Sequence, residues 1–150
     1  MSQIFSVDEL VPHSGRMSLL DNIVAYSENW LHAEVHITAD SMFAEDQGVP
    51  SWIGLEYLAQ AISAYAGLQE SARGEKPKIG FLLGSRKYVC SVDYFAIGQT
   101  LLLKVTKELQ AENGLSAFQC VLSGDNITAT ATINVFQPDN AEEFLQDVIS

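Results

Sequence analysis

The stretch Val49–Leu68, VPSWIGLEYLAQAISAYAGL, decides how the rest of the chain must fold. After Pro50 and Ser51 it contains no proline, and its alanine and leucine residues lose little conformational freedom in a helix. We therefore predict a helix of about five turns from Trp52 onward. Its apolar residues go nearly all the way around the helix, which is typical of a helix enclosed by protein. Since the rest of the chain is mainly strand-like, we expect a sheet curled around one long central helix.

Two polar side chains interrupt the apolar surface of this helix. Glu56 and Gln60 are one turn apart and share a face. In an enclosed helix the carboxyl group of Glu56 would be buried, and an apolar setting favours its neutral form. A neutral carboxylic acid is a candidate general acid, and Gln60 would orient it. A purely structural, hydrogen-bonded Glu56 is the alternative.

The composition is that of one ordinary domain. With 150 residues and 47% hydrophobic content, the chain has enough core to fold without disulfides or metal, so we predict a single domain over residues 1–150. The first residues lack the basic and apolar regions of a signal peptide, and polar residues interrupt the long apolar stretch. We expect a cytoplasmic protein without a membrane span. Cys90 and Cys120 have no metal or redox spacing and are expected to be buried, reduced thiols, with no cofactor.

The charge distribution is uneven. A net charge of −11 argues against binding to nucleic acid or to an anionic membrane surface, because both need a basic footprint. Most of the basic residues nevertheless lie between positions 73 and 87: Arg73, Lys76, Lys78, Arg86 and Lys87. This segment is either a solvated loop or a docking site for an acidic partner.

Strand patterns occur on both sides of the helix. We predict a hairpin before it and four strands after it, at Ser18–Tyr26, Trp30–Thr38, Ile79–Cys90, Thr100–Leu109, Leu115–Leu122 and Thr128–Phe136. Turns or loops are expected at Ser27–Asn29, Ala39–Gly48, Ser71–Pro77, Asp93–Gly98 and Ser123–Asn126. A short helix is expected at Ser6–Leu10, and the acidic tail after Pro138 is expected to be a short helix or a frayed end.

The second strand alternates apolar and polar residues. Its polar face, with His32, Glu34 and His36, has the composition of a metal site, but the wet face of a half-buried strand looks the same. We favour the wet face and expect no metal.

The order hairpin, long helix, antiparallel strands is that of a hot-dog fold, an α+β architecture. Val11–Asp21, VPHSGRMSLLD, resembles the PHRxPxLLxD opening of bacterial 3-hydroxyacyl-[acyl carrier protein] dehydratases, and Glu56–Gln60, EYLAQ, resembles their E-A-x-A-Q helix motif. Gly80–Cys90, GFLLGSRKYVC, and Ile133–Pro138, INVFQP, are more similar to the dehydratases of the aryl polyene pigment pathways. The resemblance implies dehydration of acyl chains on an acyl carrier protein, to trans-2-enoyl thioesters, by at least a dimer.

The chain departs from this family at three positions. Met42 stands where the fatty-acid-pathway enzymes have their catalytic histidine. Ser51 replaces the glycine of a Pro-Gly pair at the helix start, and Ser14 replaces an arginine after the Pro-His pair. These departures concern the acid and base, not the fold.

Dehydration of a 3-hydroxyacyl thioester needs a base, an acid and donors for the enolate oxygen. Glu56 suits the acid, and the backbone N–H groups around Ser51 and Trp52 suit the oxygen, because helix N-termini leave donors unpaired. His13 is the candidate base, since the matching Pro-His pair lines the acyl tunnel of the related enzymes.

The resemblance also implies partners. An acidic carrier protein is expected to dock on Arg73, Arg86 and Lys87. We expect either a homodimer or a hetero-oligomer with another hot-dog subunit. A hot-dog acyl thioesterase and a non-catalytic subunit that binds a carrier protein or a partner dehydratase are the two alternatives.

Overall fold

The computed structural model describes residues 19–72, 74, 81–110 and 114–136. The side chains of residues 81–86 and 136 are not described. The predicted helix at Ser6–Leu10, the acidic tail and most of the connector Ser71–Pro77 lie outside the described residues, as do His13 and Arg73.

The described chain contains one helix and eight strands. In order they are β1 (Asn22–Tyr26), β2 (Trp30–His36), β3 (Val49–Pro50), α1 (Ile53–Ala72), β4 (Phe81–Cys90), β5 (Tyr94–Phe95), β6 (Thr100–Gln110), β7 (Leu115–Gly124) and β8 (Ile127–Phe136). The predicted long helix is confirmed and continues beyond Leu68 to Ala72. None of the described helices is long and apolar enough to cross a membrane.

Six strands form one antiparallel sheet in the order β1-β2-β6-β7-β8-β4, and β3 pairs with β5 in a second, two-stranded sheet. Helix α1 packs on β2, β6, β7 and β8. This arrangement confirms the predicted α+β architecture of a sheet around one helix.

The core lies between α1 and the inward faces of the strands. The position of the core agrees with the alternation predicted for β2. Leu31, Ala33 and Val35 are buried, while His36 on the other face is exposed. The facing residues of the helix are also buried: Tyr57, Leu58, Ala61, Ala64, Tyr65 and Leu68.

The prediction that α1 is enclosed on every side is wrong for this subunit. Glu56 is exposed, and the side chain of Trp52 is 66% exposed. Ala59, Ser63 and Ala66 follow at helical spacing and are only half-buried. Alanine counts as apolar in the sequence but is compatible with an outer face, so the pattern concealed a stripe that the sheet does not cover.

Two further features differ from the sequence-based expectation. Strands β3 and β5 have two residues each, too few for a periodic pattern, and β5 lies inside the predicted connector Asp93–Gly98. The predicted turn between β7 and β8 is confirmed, with Asn126 at a φ of 59°. Asparagine tolerates this left-handed conformation better than most residues.

Candidate functional site

Ser51 joins β3 to α1, and both its backbone N–H and its backbone carbonyl group are hydrogen-bonded. Its N–H donates to the carbonyl oxygen of Asp93 at 2.9 Å. Its own carbonyl oxygen accepts the N–H of Gly54 at 3.0 Å and the hydroxyl of Tyr88 at 2.6 Å. The first turn of the helix is therefore fixed to the segment that contains β4 and the turn after it.

The start of α1 presents unpaired donors. Within the described part of the chain, the N–H groups of Trp52 and Ile53 have no hydrogen-bond acceptor. Because the N–H of Ser51 already donates to Asp93, the donors expected around Ser51 and Trp52 are instead those of Trp52 and Ile53. They lie at the positive end of the helix dipole, where a carbonyl oxygen that gains negative charge is stabilised.

An exposed apolar cluster lies beside these donors. Met42 is 37%, Phe43 47% and Trp52 66% exposed, and the Phe43 and Trp52 rings are 6.2 Å apart. Phe43 has a φ of 70°, a conformation that is rare for a bulky residue and strained. Glu56 follows Trp52 one turn later on the same face of α1. A carboxyl group, two free donors and an apolar surface therefore meet at one end of the helix.

Gln60 connects the helix to the beginning of the described chain. Its side-chain oxygen accepts the backbone N–H of Leu19 at 2.7 Å. Leu19 is the first described residue, so this hydrogen bond joins the beginning of the described chain to α1. The orientation of Glu56 by Gln60 stays a prediction.

The remaining predicted site residues are only partly described. His13 and Arg73 lie outside the described residues, and the side chain of Arg86 is not described. Lys87 is exposed on β4, as a docking residue would be. Its contact with a carrier protein stays a prediction.

Tyr88 and Gly54 are the residues of this region that the sequence analysis missed. The Tyr88 hydroxyl passes over Gly54 to reach the Ser51 carbonyl. Beneath it lies Tyr57, 2% exposed, whose pKa is raised to about 12 by burial and by the nearby charge of Asp21. The one available signal was a glycine inside the first turn of a helix, where it is unfavourable unless space is needed.

Two cavities lie elsewhere in the described chain. One of about 570 Å³ lies at the other end of α1 and is lined by Glu28, Gln69 and Lys107 among others. Another of about 470 Å³ lies by the turn at Gly98 and Gln99. Neither is lined by residues of the helix start.

On the polar face of β2, His36 is exposed, whereas His32 and Glu34 are half-buried. Nε2 of His36 lies 3.6 Å from Oε1 of Glu34, which also accepts from Nδ2 of Asn22 at 2.8 Å. Burial and the nearby charge of Lys104 lower the pKa of His32. Among the described residues, no three His, Cys, Asp or Glu side chains are grouped as metal ligands.

The sequence as a whole matches a known family. The model of the ApeP-like family, described as ApeP dehydratase, matches residues 5–146. The chain belongs to the ApeP-like dehydratase family. None of the curated protein sequences matches the chain.

Solved structures agree with this family. The chain is similar to a chain of the dehydratase heterocomplex ApeI:P from Xenorhabdus doucetiae, with a TM-score of 0.87, 30% identity and coverage of 97% of this chain and 99% of that one. The virulence protein Cj0977 from Campylobacter jejuni (TM-score 0.62, 18% identity, 89% of both chains) shares the fold. So does PaaI of E. coli (TM-score 0.60, 12% identity, 76% of this chain and 80% of that one). The predicted hot-dog dehydratase of the aryl polyene branch is confirmed.

Proposed function

We propose that this chain dehydrates 3-hydroxyacyl thioesters on an acyl carrier protein to trans-2-enoyl thioesters. The observation that carries the proposal is the position of Glu56 in the first turn of α1, beside the unpaired N–H groups of Trp52 and Ile53. Membership of a dehydratase family supports the reaction class.

The reaction needs three groups at this end of the helix. A base removes a proton from C2 while the Trp52 and Ile53 N–H groups hold the thioester oxygen. The C2 electrons then form the C2=C3 bond as the C3 hydroxyl leaves, and the Glu56 carboxyl group gives it a proton so that water departs. In this proposal another molecule covers Glu56 during the reaction, since Glu56 is exposed in the subunit.

The base in this proposal is His13. Met42 stands where the fatty-acid-pathway dehydratases have their catalytic histidine, and a thioether accepts no proton at neutral pH. The Gln60–Leu19 hydrogen bond supports the assignment, because it fixes the chain to α1 shortly after His13. His13→Ala should abolish turnover, and Met42→His should restore part of it if both positions serve one role.

A second hot-dog subunit completes the site in this proposal. Strand β4 is ten residues long and, among the described strands, pairs only with β8, so one of its edges offers unpaired N–H and C=O groups. The exposed Met42, Phe43 and Trp52 offer an apolar contact for a partner near Glu56. The similar X. doucetiae chain comes from a heterocomplex, which supports a partner of the same fold.

A non-catalytic role in such a complex is the second candidate. Met42 at the position of the base of the fatty-acid-pathway dehydratases favours it, because the acid and donors then serve to bind a partner or a carrier protein. We place carrier docking at Arg73, Arg86 and Lys87, where the exposed Lys87 supports it.

The test follows one 3-hydroxyacyl substrate, carrier-bound or as a short soluble thioester, with this chain alone and with its partner subunit. Enoyl product that disappears with Glu56→Gln in this chain supports the proposal, whereas free acid indicates a thioesterase. Enoyl product that survives Glu56→Gln in the complex indicates the non-catalytic role. Reversal of Arg86 and Lys87 to Glu should raise KM only for the carrier-bound substrate, and equal effects on both substrates would remove the docking site.

A further inference from the structure

Strand β4 contains a bulge at the point where it faces the helix start. Arg86 pairs with Thr132 and Val89 with Thr130, so Lys87 and Tyr88 together stand opposite a single residue of β8. Lys87 has a φ of 60°, a left-handed conformation uncommon for a residue with a side chain. Bulges of this kind change the direction of a side chain and are frequent beside active sites.

The bulge presents Tyr88 to the start of α1. The Tyr88 hydroxyl donates to the Ser51 carbonyl at 2.6 Å, a short hydrogen bond between residues far apart in the sequence. The carbonyl oxygen of Asp93, shortly after the end of β4, accepts the backbone N–H of Ser51. The backbone N–H and the carbonyl group of Ser51 are therefore both held by one short part of the chain.

Gly54 provides the space for this contact. A Cβ atom at Gly54 would lie 2.3 Å from the Tyr88 hydroxyl oxygen, 3.0 Å from Cζ of Phe95 and 3.2 Å from Cδ1 of Leu122. The first of these distances is far below contact distance. A glycine in a helix costs about 1 kcal/mol relative to alanine, so its presence here needs a reason. The tyrosine hydroxyl is that reason.

The Tyr88 hydroxyl is a permanent donor. Burial raises its pKa well above the ordinary value for tyrosine, and the Cys90 thiol and Tyr57 raise it further. It therefore keeps its proton throughout the physiological pH range and can always donate to Ser51.

The geometry points to Tyr88 as a positioning residue that sets the first turn of α1 and, through it, the N–H groups proposed to hold the thioester oxygen. This inference rests on the proposed function. The unpaired donors of Trp52 and Ile53 follow directly on the Ser51 carbonyl that Tyr88 holds. The Ser51 carbonyl and the Trp52 N–H belong to one peptide group, so a small rotation of this group changes where the Trp52 N–H points and shifts the start of the helix that carries the Ile53 N–H. Displacement of donors that hold a developing oxyanion lowers kcat more than it weakens substrate binding.

The experiment compares two tyrosine-to-phenylalanine variants in the assembled protein. Tyr65 is the matched control, because its hydroxyl also donates to a distant backbone carbonyl, that of Glu28, but at the other end of α1. We expect Tyr88→Phe to lower kcat about tenfold with KM nearly unchanged, which corresponds to about 1.4 kcal/mol. Tyr65→Phe should leave kcat within about twofold while lowering Tm as much as Tyr88→Phe does.

A second pair of variants tests the contact with Gly54. Gly54→Ala should displace the Tyr88 ring and lower kcat about as strongly as Tyr88→Phe, by about tenfold. In the Tyr88→Phe background the added methyl group still meets Phe95 and Leu122 but no longer meets a hydroxyl, so the double variant should lose less than the product of the two single losses. Losses that multiply would show that Gly54 and Tyr88 act independently.

Amide hydrogen exchange provides a readout that does not depend on activity. Tyr88→Phe should speed exchange at Ser51, Gly54 and Leu55, whose N–H groups are hydrogen-bonded at the helix start, and Tyr65→Phe should not. Unchanged exchange at these amides overturns the positioning role, whether or not the protein is active. Faster exchange with normal kcat overturns the link to the reaction while leaving the proposed function in place. Absence of enoyl product from the unsubstituted complex instead overturns the proposed function, and exchange alone then decides whether Tyr88 holds the helix start.

Discussion

The two ends of α1 are fastened by the same kind of contact, but Trp52 and Glu56 at the open end are exposed, whereas none of residues 62–70 at the covered end is. At the start, Tyr88 donates to the Ser51 carbonyl, yet Trp52 is 66% exposed and Glu56 is exposed. Toward the other end, Tyr65 donates to the Glu28 carbonyl and is 2% exposed.

The covered end has further contacts with the rest of the chain. Nε2 of Gln69 donates to the Ser27 carbonyl at 2.9 Å, and Nζ of Lys107 lies 5.4 Å from the centre of the Tyr65 ring. The difference separates two tasks along one helix. The covered end stabilises the subunit, and the open end presents functional groups that need another molecule to surround them.

The largest expected effect is on turnover at the open end. Glu56→Gln keeps the shape of the side chain but removes the transferable proton, so kcat should fall about a hundredfold or more. Because Glu56 is exposed in the subunit, Tm should change little. Steady-state kinetics and calorimetry measure both. Glu28→Gln, an exposed carboxyl group near the covered end, is the control; an equal loss of turnover there would contradict the division of tasks.

The next effect is on stability at the covered end. Leu68 is 5% exposed, so Leu68→Ala should lower the free energy of unfolding by about 2–4 kcal/mol through lost burial and a new cavity. Trp52→Ala should change it by less than about 0.5 kcal/mol in the isolated subunit, because most of that side chain is already in water. Urea unfolding of both variants measures these two changes in the free energy of unfolding. A large loss from Trp52→Ala would mean that the open end also stabilises the subunit.

A smaller effect on the free energy of unfolding is expected at the hydrogen bond between Gln60 and the N–H of Leu19. Gln60→Ala removes the acceptor for the Leu19 N–H and should cost about 1 kcal/mol. Gln60→Glu keeps an acceptor oxygen and should cost less. Amide exchange at Leu19 should rise with the alanine variant; unchanged exchange would show that other contacts hold this segment.

A last effect is expected on the pH dependence of stability in the core between the helix and the sheet. Burial raises the pKa of the Cys120 thiol from 9.0 to about 12, with a smaller contribution from Glu108. The folded state then keeps a proton that the unfolded chain releases, so this contribution to stability is present below pH 9.0 and is lost as the pH rises toward 12. Cys120→Ala, although less stable at neutral pH, should lose stability less steeply between about pH 9 and pH 10.5. Denaturant unfolding at several pH values measures the two slopes, and parallel slopes would rule out a role for the thiol.

Much of the fold could be predicted because it depends on local patterns. The alternation in β2 and the proline-free, alanine-rich stretch after Ser51 determine a strand and a helix by themselves. The exposure of the outer stripe could not be predicted, since Ala59 and Ala66 suit a covered and an open face equally.

The candidate site was predictable only in part. Glu56 and the helix start follow from the motif, but the occupation of the Ser51 N–H by Asp93 is a tertiary contact with no pattern of its own. The Tyr88 contact joins residues separated by 37 positions, and Gly54 was its only trace in the sequence.

The contact between Gly54 and Tyr88 also restricts how related sequences can diverge. Alanine is the better helix former, but at position 54 its Cβ would lie 2.3 Å from the Tyr88 hydroxyl oxygen, so this exchange is easier after the hydroxyl has been lost. A lineage should therefore exchange the tyrosine for phenylalanine or another residue without the hydroxyl before it exchanges the glycine. Among family members, a tyrosine at the position of Tyr88 should occur together with a glycine at the position of Gly54, and the combination of tyrosine with a larger residue should be rare.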